Sequence, residues 1–271
     1  MSRISGLRKS IHMGSPAQAG GGPGFEKGLF LIPLTLIFTL WELAVRLSFV
    51  SAASLPPPSA IFMVLAVHML DVTFLLRALS SLCNLGAGIV LGFFIAMPLA
   101  IATGLKSKVD SAFTPLIMLV GALPDLALLP ILVFWLGPGA TAAILMGTVV
   151  AFFPIFFTVR EGVRAIPKDY FHVAAVCKAK RLTTYTKVVL PAVFPQMVTG
   201  VRLSYEFLWE IVLAVEILAI VSGIGSFINS AVEGGAMVDG FAGIFMIGII
   251  AVIIDRLVFA NLEGRIKRWH E

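Results

Sequence analysis

Charged groups are uncommon within apolar segments, and three of the acidic side chains in such segments of this sequence are candidates for chemistry. Asp125 lies in the segment 112–136, and Glu206 and Glu210 lie about one helical turn apart in the segment 201–221. A carboxylate in apolar surroundings needs water, a positive charge or another polar group as a neighbour. Such acids can carry protons, line a route for a solute or form structural ion pairs, and the spacing alone leaves these roles open.

Other catalytic patterns are missing from the sequence. The four histidines lie in separate segments, at His12, His68, His172 and His270, which disfavours a metal site. No phosphate-binding loop of the GxxxxGK[ST] kind occurs, so the sequence predicts no ATPase site and no cofactor in this chain. An intramembrane enzyme would need a nucleophile with a base, or paired metal ligands at helical spacing. An intramembrane enzyme stays an alternative, but the sequence shows no such site.

The interval 160–195 is the longest stretch between apolar segments that is rich in positive charge. Its basic residues are Arg160, Arg164, Lys168, Lys178, Lys180, Arg181 and Lys187. In a chain of apolar segments, such an interval is typical of a cytoplasmic loop that is long enough to fold one or two helices. The pattern therefore predicts a loop that contacts a soluble partner, although a surface loop near anionic lipid headgroups would carry the same charge.

The composition predicts an integral membrane protein. Of the 271 residues, 59% are hydrophobic and 13% are charged, and the mean hydropathy is +1.00. The net charge of +5 collects at the ends of apolar segments, which favours the cytoplasmic face of a bilayer over nucleic acid as the partner of the basic residues. Cys83 lies in an apolar segment and Cys177 in the basic interval, so we expect them not to pair.

Six apolar segments are long enough to cross a bilayer, which predicts an all-α integral membrane fold. The predicted spans are about 28–50, 75–104, 112–136, 140–159, 201–221 and 241–259. Outside them we predict a disordered cytoplasmic tail over 1–27, a cytoplasmic loop over 160–200 and a cytoplasmic C-terminal tail over 260–271. The first segment also fits a signal peptide, but its length and the Glu42 and Arg46 pair favour a retained helix.

The distribution of lysine and arginine predicts the orientation. With the N-terminus inside, the four inner segments hold seventeen of the twenty basic residues, and the exceptions are Arg46, Arg77 and Arg256. Cytoplasmic loops of membrane proteins carry such an excess. Both termini are therefore expected in the cytoplasm.

Several stretches together resemble a known family. They are LPPPSA at 55–60, LPDLALLPILVFWLG at 123–137, AFFPIFFTVREGVRAIP at 151–167, VVLPAVFPQMVTGVRLS at 188–204, and Trp209 with AVEILAIVSGIGSFI at 214–228, followed by LEGRIKRW at 262–269. In this order the chain resembles the inner-membrane permease subunits of binding-protein-dependent ABC importers, in the nitrate, sulfonate, taurine and bicarbonate group. The resemblance covers most of the chain from about Trp41 and implies the type I importer fold in the bacterial inner membrane.

The resemblance also implies which residues couple the chain to an ATPase. In the family, a glutamate, two alanines and a later glycine precede a Leu-Pro ending, and this helix docks in a groove of the ATP-hydrolysing subunit. Here the glutamate position falls on His172 or Val173, the alanines are Ala174 and Ala175, the glycine position falls on Lys178 or Ala179, and the ending is Leu190 and Pro191. Lys180 and Arg181 add positive charge. The departures fit a drifted half of a heterodimer or a helix that changed together with its own ATPase.

The implied partners follow from the same resemblance. They are a second permease subunit, identical or homologous, two ATP-binding subunits that hold ATP and magnesium, a periplasmic solute-binding protein and the lipid bilayer. Asp125 stands where the family usually has a proline or a basic residue, and with Glu206 and Glu210 it is a candidate for the solute pathway. Acids along the route would repel a simple anion such as nitrate. An ion-coupled secondary transporter that uses these acids remains an alternative, although we find no convincing internal repeat.

Overall fold

The computed structural model describes residues 31–218 and 221–267, and all regular structure in these ranges is helical. The predicted disordered tail over 1–27 lies outside the described residues. We number the helices in chain order. They are α1 (Leu31–Arg46), α2 (Pro58–His68), α3 (Val72–Leu105), α4 (Ser107–Gly121), α5 (Asp125–Leu136), α6 (Ala140–Arg164), α7 (Lys168–Val176), α8 (Arg181–Thr184), α9 (Leu190–Leu218), α10 (Ile224–Glu233), α11 (Met237–Ile254) and α12 (Ala260–Lys267).

Two π-helical turns join neighbouring helices without a break. Tyr185–Val189 connects α8 to α9, and Asp255–Phe259 connects α11 to α12. The region 260–267, which the sequence predicted to be a tail, thus continues the last helix. A π-turn widens the helix by one residue and is often found at functional positions.

Three helical stretches in the described ranges are long and apolar enough to cross a membrane. They are α3, α6 and the stretch Met237–Leu262, and the bent pair α4–α5 would be a fourth. The first predicted span corresponds to α1, of 16 residues. The fifth corresponds to α9, which has 29 residues and carries Arg202, Glu206, Glu210 and Glu216. The number of six spans therefore stays a prediction.

The third predicted span is not one helix. The sequence predicted a single span over 112–136, whereas the structure has α4 and α5 with a bend of 89° between them. The bend lies at Pro124, which has no backbone N–H to donate into the preceding turn and disfavours helical geometry at Leu123. Asp125 therefore becomes the first residue of a new helix instead of a residue within a longer one.

Small residues let α6 pack closely against α3 and α9 at the centre of the fold. A Cβ atom on Gly88 of α3 would lie 2.9 Å from the backbone of Gly147 in α6. One turn further along α6, Ser204 of α9 donates a hydrogen bond of 2.9 Å to the carbonyl oxygen of Ala151. Close helix approach through small residues is a common packing mode in membranes, where van der Waals contact replaces the hydrophobic effect.

Candidate functional site

The loop that follows α6 is shorter than the sequence predicted. Helix α6 continues to Arg164, and the helix that contains α9 begins at Arg181, so the predicted loop over 160–200 narrows to residues 165–180 with the short helix α7 inside it. The boundary differs because Arg160 and Arg164 extend the apolar helix by one turn, and such residues end a helix favourably at its C-terminus. Pro167 then precedes α7, where a proline fits because the first turn needs no N–H.

Four apolar side chains of α7 and α8 are exposed. Their exposed fractions are 83% for Val176, 74% for Leu182, 62% for Val173 and 59% for Tyr170. We call this group the docking surface. A cluster of exposed apolar side chains at a polar boundary is typical of a protein interface. Of the four, the sequence analysis named only Val173; the others could have been found from the helical spacing of 170, 173 and 176.

The two alanines of the family motif border a cavity, where Ala174 is half-buried and Ala175 is exposed. Ala174 and Ala175 line a cavity of about 440 Å³ between α7 and the end of α3, together with Leu105, Phe171 and Ala179. A small side chain at these positions leaves this space open. We therefore expect a larger side chain at Ala174 to shift α7 relative to the end of α3.

Lys178 occupies a backbone position that usually needs glycine. Its φ is 51°, in the left-handed region, and one residue, Cys177, separates it from the end of α7. The amide of Ala179 donates to the carbonyl oxygen of Ala174 at 2.9 Å, which closes the helix end. This geometry gives a physical reason for a glycine in the family motif at this point, and a lysine there costs about 1 kcal/mol of backbone strain.

The other predicted coupling residues lie around the docking surface. His172 is exposed on α7, with its Nδ1 3.8 Å from Oδ1 of Asp169. Lys180 and Arg181 are exposed, and Leu190 and Pro191 begin α9, beyond the π-turn. The structure thus places positive charge beside the apolar docking surface.

The acidic candidates lie on two helices that contact each other, α5 and α9. Glu206 and Glu210 are exposed on α9 with Phe207 between them, and Asp125 is half-buried at the start of α5. Helix α5 contacts α9, and the carboxylates of Asp125 and Glu210 are close enough to repel each other. The structure therefore brings Asp125 and Glu210 together.

Glu206 has a basic neighbour that the sequence analysis did not identify. The Nε of Arg202 lies 3.5 Å from Oε1 of Glu206 and 3.0 Å from Oδ1 of Asp255. Asp255 begins the second π-turn, so this group connects α9 to the last helix. Glu206 is therefore partly neutralised, whereas no ion pair is described for Glu210.

Glu216 is fully buried and fastens α10 to the core. Its Oε2 accepts a hydrogen bond of 2.8 Å from the amide of Gly225, and Ser81 and Asn84 face the same carboxyl group. The hydroxyl of Ser81 accepts a hydrogen bond of 2.9 Å from the amide of Ile224. The first amides of α10 are thus held by α9 and α3.

Asp110 forms a group of ion pairs that the sequence analysis also missed. It lies in α4 and contacts Arg160 and Arg164 at the end of α6. Asp110 lies in the predicted cytoplasmic connection between the second and third spans, and Arg160 and Arg164 follow the fourth span on the same side of the membrane. This arrangement of opposite charges could have indicated the pairing. In the ranges that the structure describes, no three His, Cys, Asp or Glu side chains are placed to share a metal ion.

Comparison with known proteins identifies the family. Residues 88–268 match the family described as binding-protein-dependent transport system inner membrane component. The chain is 29% identical over 242 residues to the taurine transport system permease protein TauC of Escherichia coli, which covers 88% of each chain. It is 30% identical over 201 residues to the bicarbonate transport system permease protein CmpB of Synechococcus elongatus, covering 74% of this chain and 70% of that one.

The fold also matches a solved structure. A chain of the MetNI methionine ABC transporter, in an inward-facing conformation, superposes with a TM-score of 0.63 at 18% identity, covering 71% of this chain and 96% of that chain. At this identity the match supports the fold alone. Together with the family match over residues 88–268, it shows that the chain belongs to the inner-membrane permease subunits of binding-protein-dependent ABC importers.

Proposed function

We propose that this chain pairs with a second permease subunit to form a solute pathway, which two separate ATP-binding subunits drive through the docking surface. The proposal includes six spans with both termini in the cytoplasm, as the distribution of lysine and arginine favours. ATP and magnesium belong to the partner ATPase. A periplasmic solute-binding protein delivers the solute at the outer loops, residues 51–74 and 222–240.

The observation that carries this proposal is the exposed apolar face of α7. A helix whose apolar side chains stay exposed in the described part of the chain is suited to a groove on another protein. Val173 and Val176 would fill such a groove, and the neighbouring Lys178, Lys180 and Arg181 would meet acidic residues at its rim. The valines would thus supply the apolar contact area, and the basic side chains would select the partner by charge.

The connections on either side of α7 allow its movement to reach the membrane region. Helix α6 ends three residues before α7, and α8 continues through a π-turn into α9 without a break. When two ATP-binding subunits close, the loops of two permease subunits move toward each other, and α6 and α9 move with them. Helix α9 carries Glu206 and Glu210, so the movement reaches the candidate pathway.

Coexpression with the ATPase subunit tests this function. We expect the chain, purified in mild detergent, to retain a stoichiometric ATPase partner whose hydrolysis rises when a cognate binding protein loaded with solute is added. A chain that transports solute fully when purified alone would instead be an ion-coupled carrier.

We also propose that Asp125, Glu206 and Glu210 line the pathway. Charged groups in apolar spans face water or protein instead of lipid, because lipid cannot solvate them. Glu210 is exposed on this single chain, so in the membrane it needs the second subunit or a water-filled route. Carboxylates along such a route favour a cationic, zwitterionic or neutral solute over a simple anion.

Thiol labelling tests this assignment. In a background with Cys83→Ser and Cys177→Ser, we expect Glu210→Cys to react with a water-soluble maleimide about tenfold faster than Val252→Cys, because only a hydrated thiol ionises readily. Val252 is a suitable control because it is exposed on the apolar helix α11. Equal rates at the two positions would show that α9 does not face water.

A further inference from the structure

We propose that Asp110 is a positioning residue that makes the bent pair α4–α5 follow the movement of the docking loop. The inference rests on the proposed function, because it assumes that the loop moves with an ATPase. It adds a second route from the loop to the pathway, beside the continuous helix α8–α9. We call Asp110, Thr114, Arg160 and Arg164 the Asp110 cluster.

The contacts within the cluster are short, and both oxygens of the Asp110 carboxylate accept hydrogen bonds. The Nε of Arg160 donates to Oδ1 of Asp110 at 2.6 Å, and Nη2 of Arg164 donates to Oδ2 at 2.6 Å. The hydroxyl of Thr114 donates to Oδ1 at 2.7 Å. One carboxylate therefore holds two arginines that lie one turn apart on α6, and charge-assisted bonds of this kind are the stronger ones.

Burial makes the cluster difficult to break. The side chains of Asp110 and Arg160 are exposed by 13% and 8%, whereas that of Arg164 is exposed by 42%. Separating Asp110 from Arg160 would leave a nearly buried charge without a partner, which is costly. Arg160 also contacts the carboxylate of its neighbour Glu161. The inner end of α4 should therefore stay with α6 when α6 moves.

The rest of α4 has little other attachment to the chain. Thr114 and Ile117 are its only buried residues, and Thr114 belongs to the cluster. Most other apolar side chains of α4 are exposed, as at Phe113, Leu116, Met118, Leu119 and Val120. With few packing contacts to hold α4 in place, the cluster becomes its main fixed point.

The cluster lies between the docking loop and the candidate pathway. Arg164 is the last residue of α6, and three residues separate it from α7. On the other side, α4 leads to the bend at 122–124 and to Asp125. A shift of α7 that carries the end of α6 would therefore move α4, and through the bend would move the first residue of α5.

A thiol at the bend reports this movement without knowledge of the solute. We place Leu123→Cys in the Cys83→Ser, Cys177→Ser background, assemble the chain with its ATPase in lipid nanodiscs, and measure the rate of reaction with a water-soluble maleimide. Leu123 is exposed, so the reagent can reach it. We expect the rate to change about tenfold between the nucleotide-free complex and the complex trapped with ATP and orthovanadate, a typical size for allosteric coupling.

Removing the cluster should suppress that change while the ATPase stays bound. With Asp110→Asn, we expect the two rates to agree within about twofold, and with Asp110→Glu the change should be largely retained. Arg160→Gln should have a stronger effect than Arg164→Gln, because Arg160 is more buried. Lys108→Gln removes an exposed charge from the first turn of α4, which also contains Asp110, and serves as the matched control.

Each outcome has a defined meaning. A nucleotide-dependent rate that survives Asp110→Asn, or that is missing from the parent complex, would overturn this inference and leave the proposed function intact. Loss of ATPase binding with both Asp110→Asn and Asp110→Glu would also overturn it, because Asp110 would then support the fold instead of the movement. If the parent chain binds no ATPase, the proposed function itself fails.

Discussion

Val176→Asp is expected to release the ATPase subunit from the complex. Val176 is the most exposed member of the docking surface, and burying a valine contributes about 1.5–3 kcal/mol. An aspartate there would lose this contribution and would add a charge that the groove must desolvate. We expect the affinity for the ATPase to fall at least about 100-fold, which corresponds to about 2.7 kcal/mol.

Affinity purification of the coexpressed complex measures this effect, with the ATPase-to-permease ratio as the readout. Val176→Ala should weaken binding less than Val176→Asp, because it removes apolar area without adding charge. Val67→Asp is the matched control, since Val67 is also exposed but lies on α2, in a segment predicted at the outer surface. An unchanged ratio with Val176→Asp would exclude this face of α7 as the contact.

Glu216→Leu is expected to be the most destabilising substitution of a single acidic residue in this chain. The change roughly keeps the side-chain volume but leaves the buried amide of Gly225 without its carboxyl acceptor. A hydrogen bond to a charged group contributes about 1.5–3 kcal/mol, and an unsatisfied buried donor costs a similar amount. We expect a loss of about 3 kcal/mol and a lower melting temperature in detergent.

Two further variants test whether the carboxyl group of Glu216 itself holds α10 in place. Glu233→Gln alters an exposed glutamate at the other end of α10 and should change stability by less than about 0.5 kcal/mol. Gly223→Ala should destabilise the protein as well, because a Cβ atom there would overlap the carboxyl group of Glu216. If Glu216→Leu melts at the parent temperature, the carboxyl group does not hold α10.

Sequence patterns predicted the all-helical membrane fold because it depends on properties that repeat along the chain. The family came instead from the resemblance of particular stretches, such as 123–137 and 151–167. Long apolar segments define helices in lipid, and basic residues at their ends indicate orientation. The bend before Asp125 was not predicted. Several prolines occur within predicted helices of this chain, including Pro98 and Pro154, and only their packing decides which of them breaks a span.

The candidate site was predicted in part for a related reason. The loop was found from its charge, and two acids were placed together on α9 from helical spacing. The docking surface instead depends on which side chains of α7 stay exposed. The family motif pointed to Ala174 and Ala175, whereas Val176 is the most exposed apolar side chain of the helix. The partners of Asp110 and Glu216 lie 50 and 9 residues away along the chain, at distances that a local pattern does not report.

Cross-linking from Cys177 tests the central claim most directly. Cys177 is a free, exposed cysteine directly after Val176, so the parent chain already carries a reactive group beside the docking surface. In membranes that contain the assembled transporter, a short thiol-to-amine cross-linker should join the permease to the ATPase, and Cys177→Ser should abolish this product while Cys83→Ser retains it. A parent complex that binds the ATPase but gives no Cys177-dependent product would contradict docking through this loop.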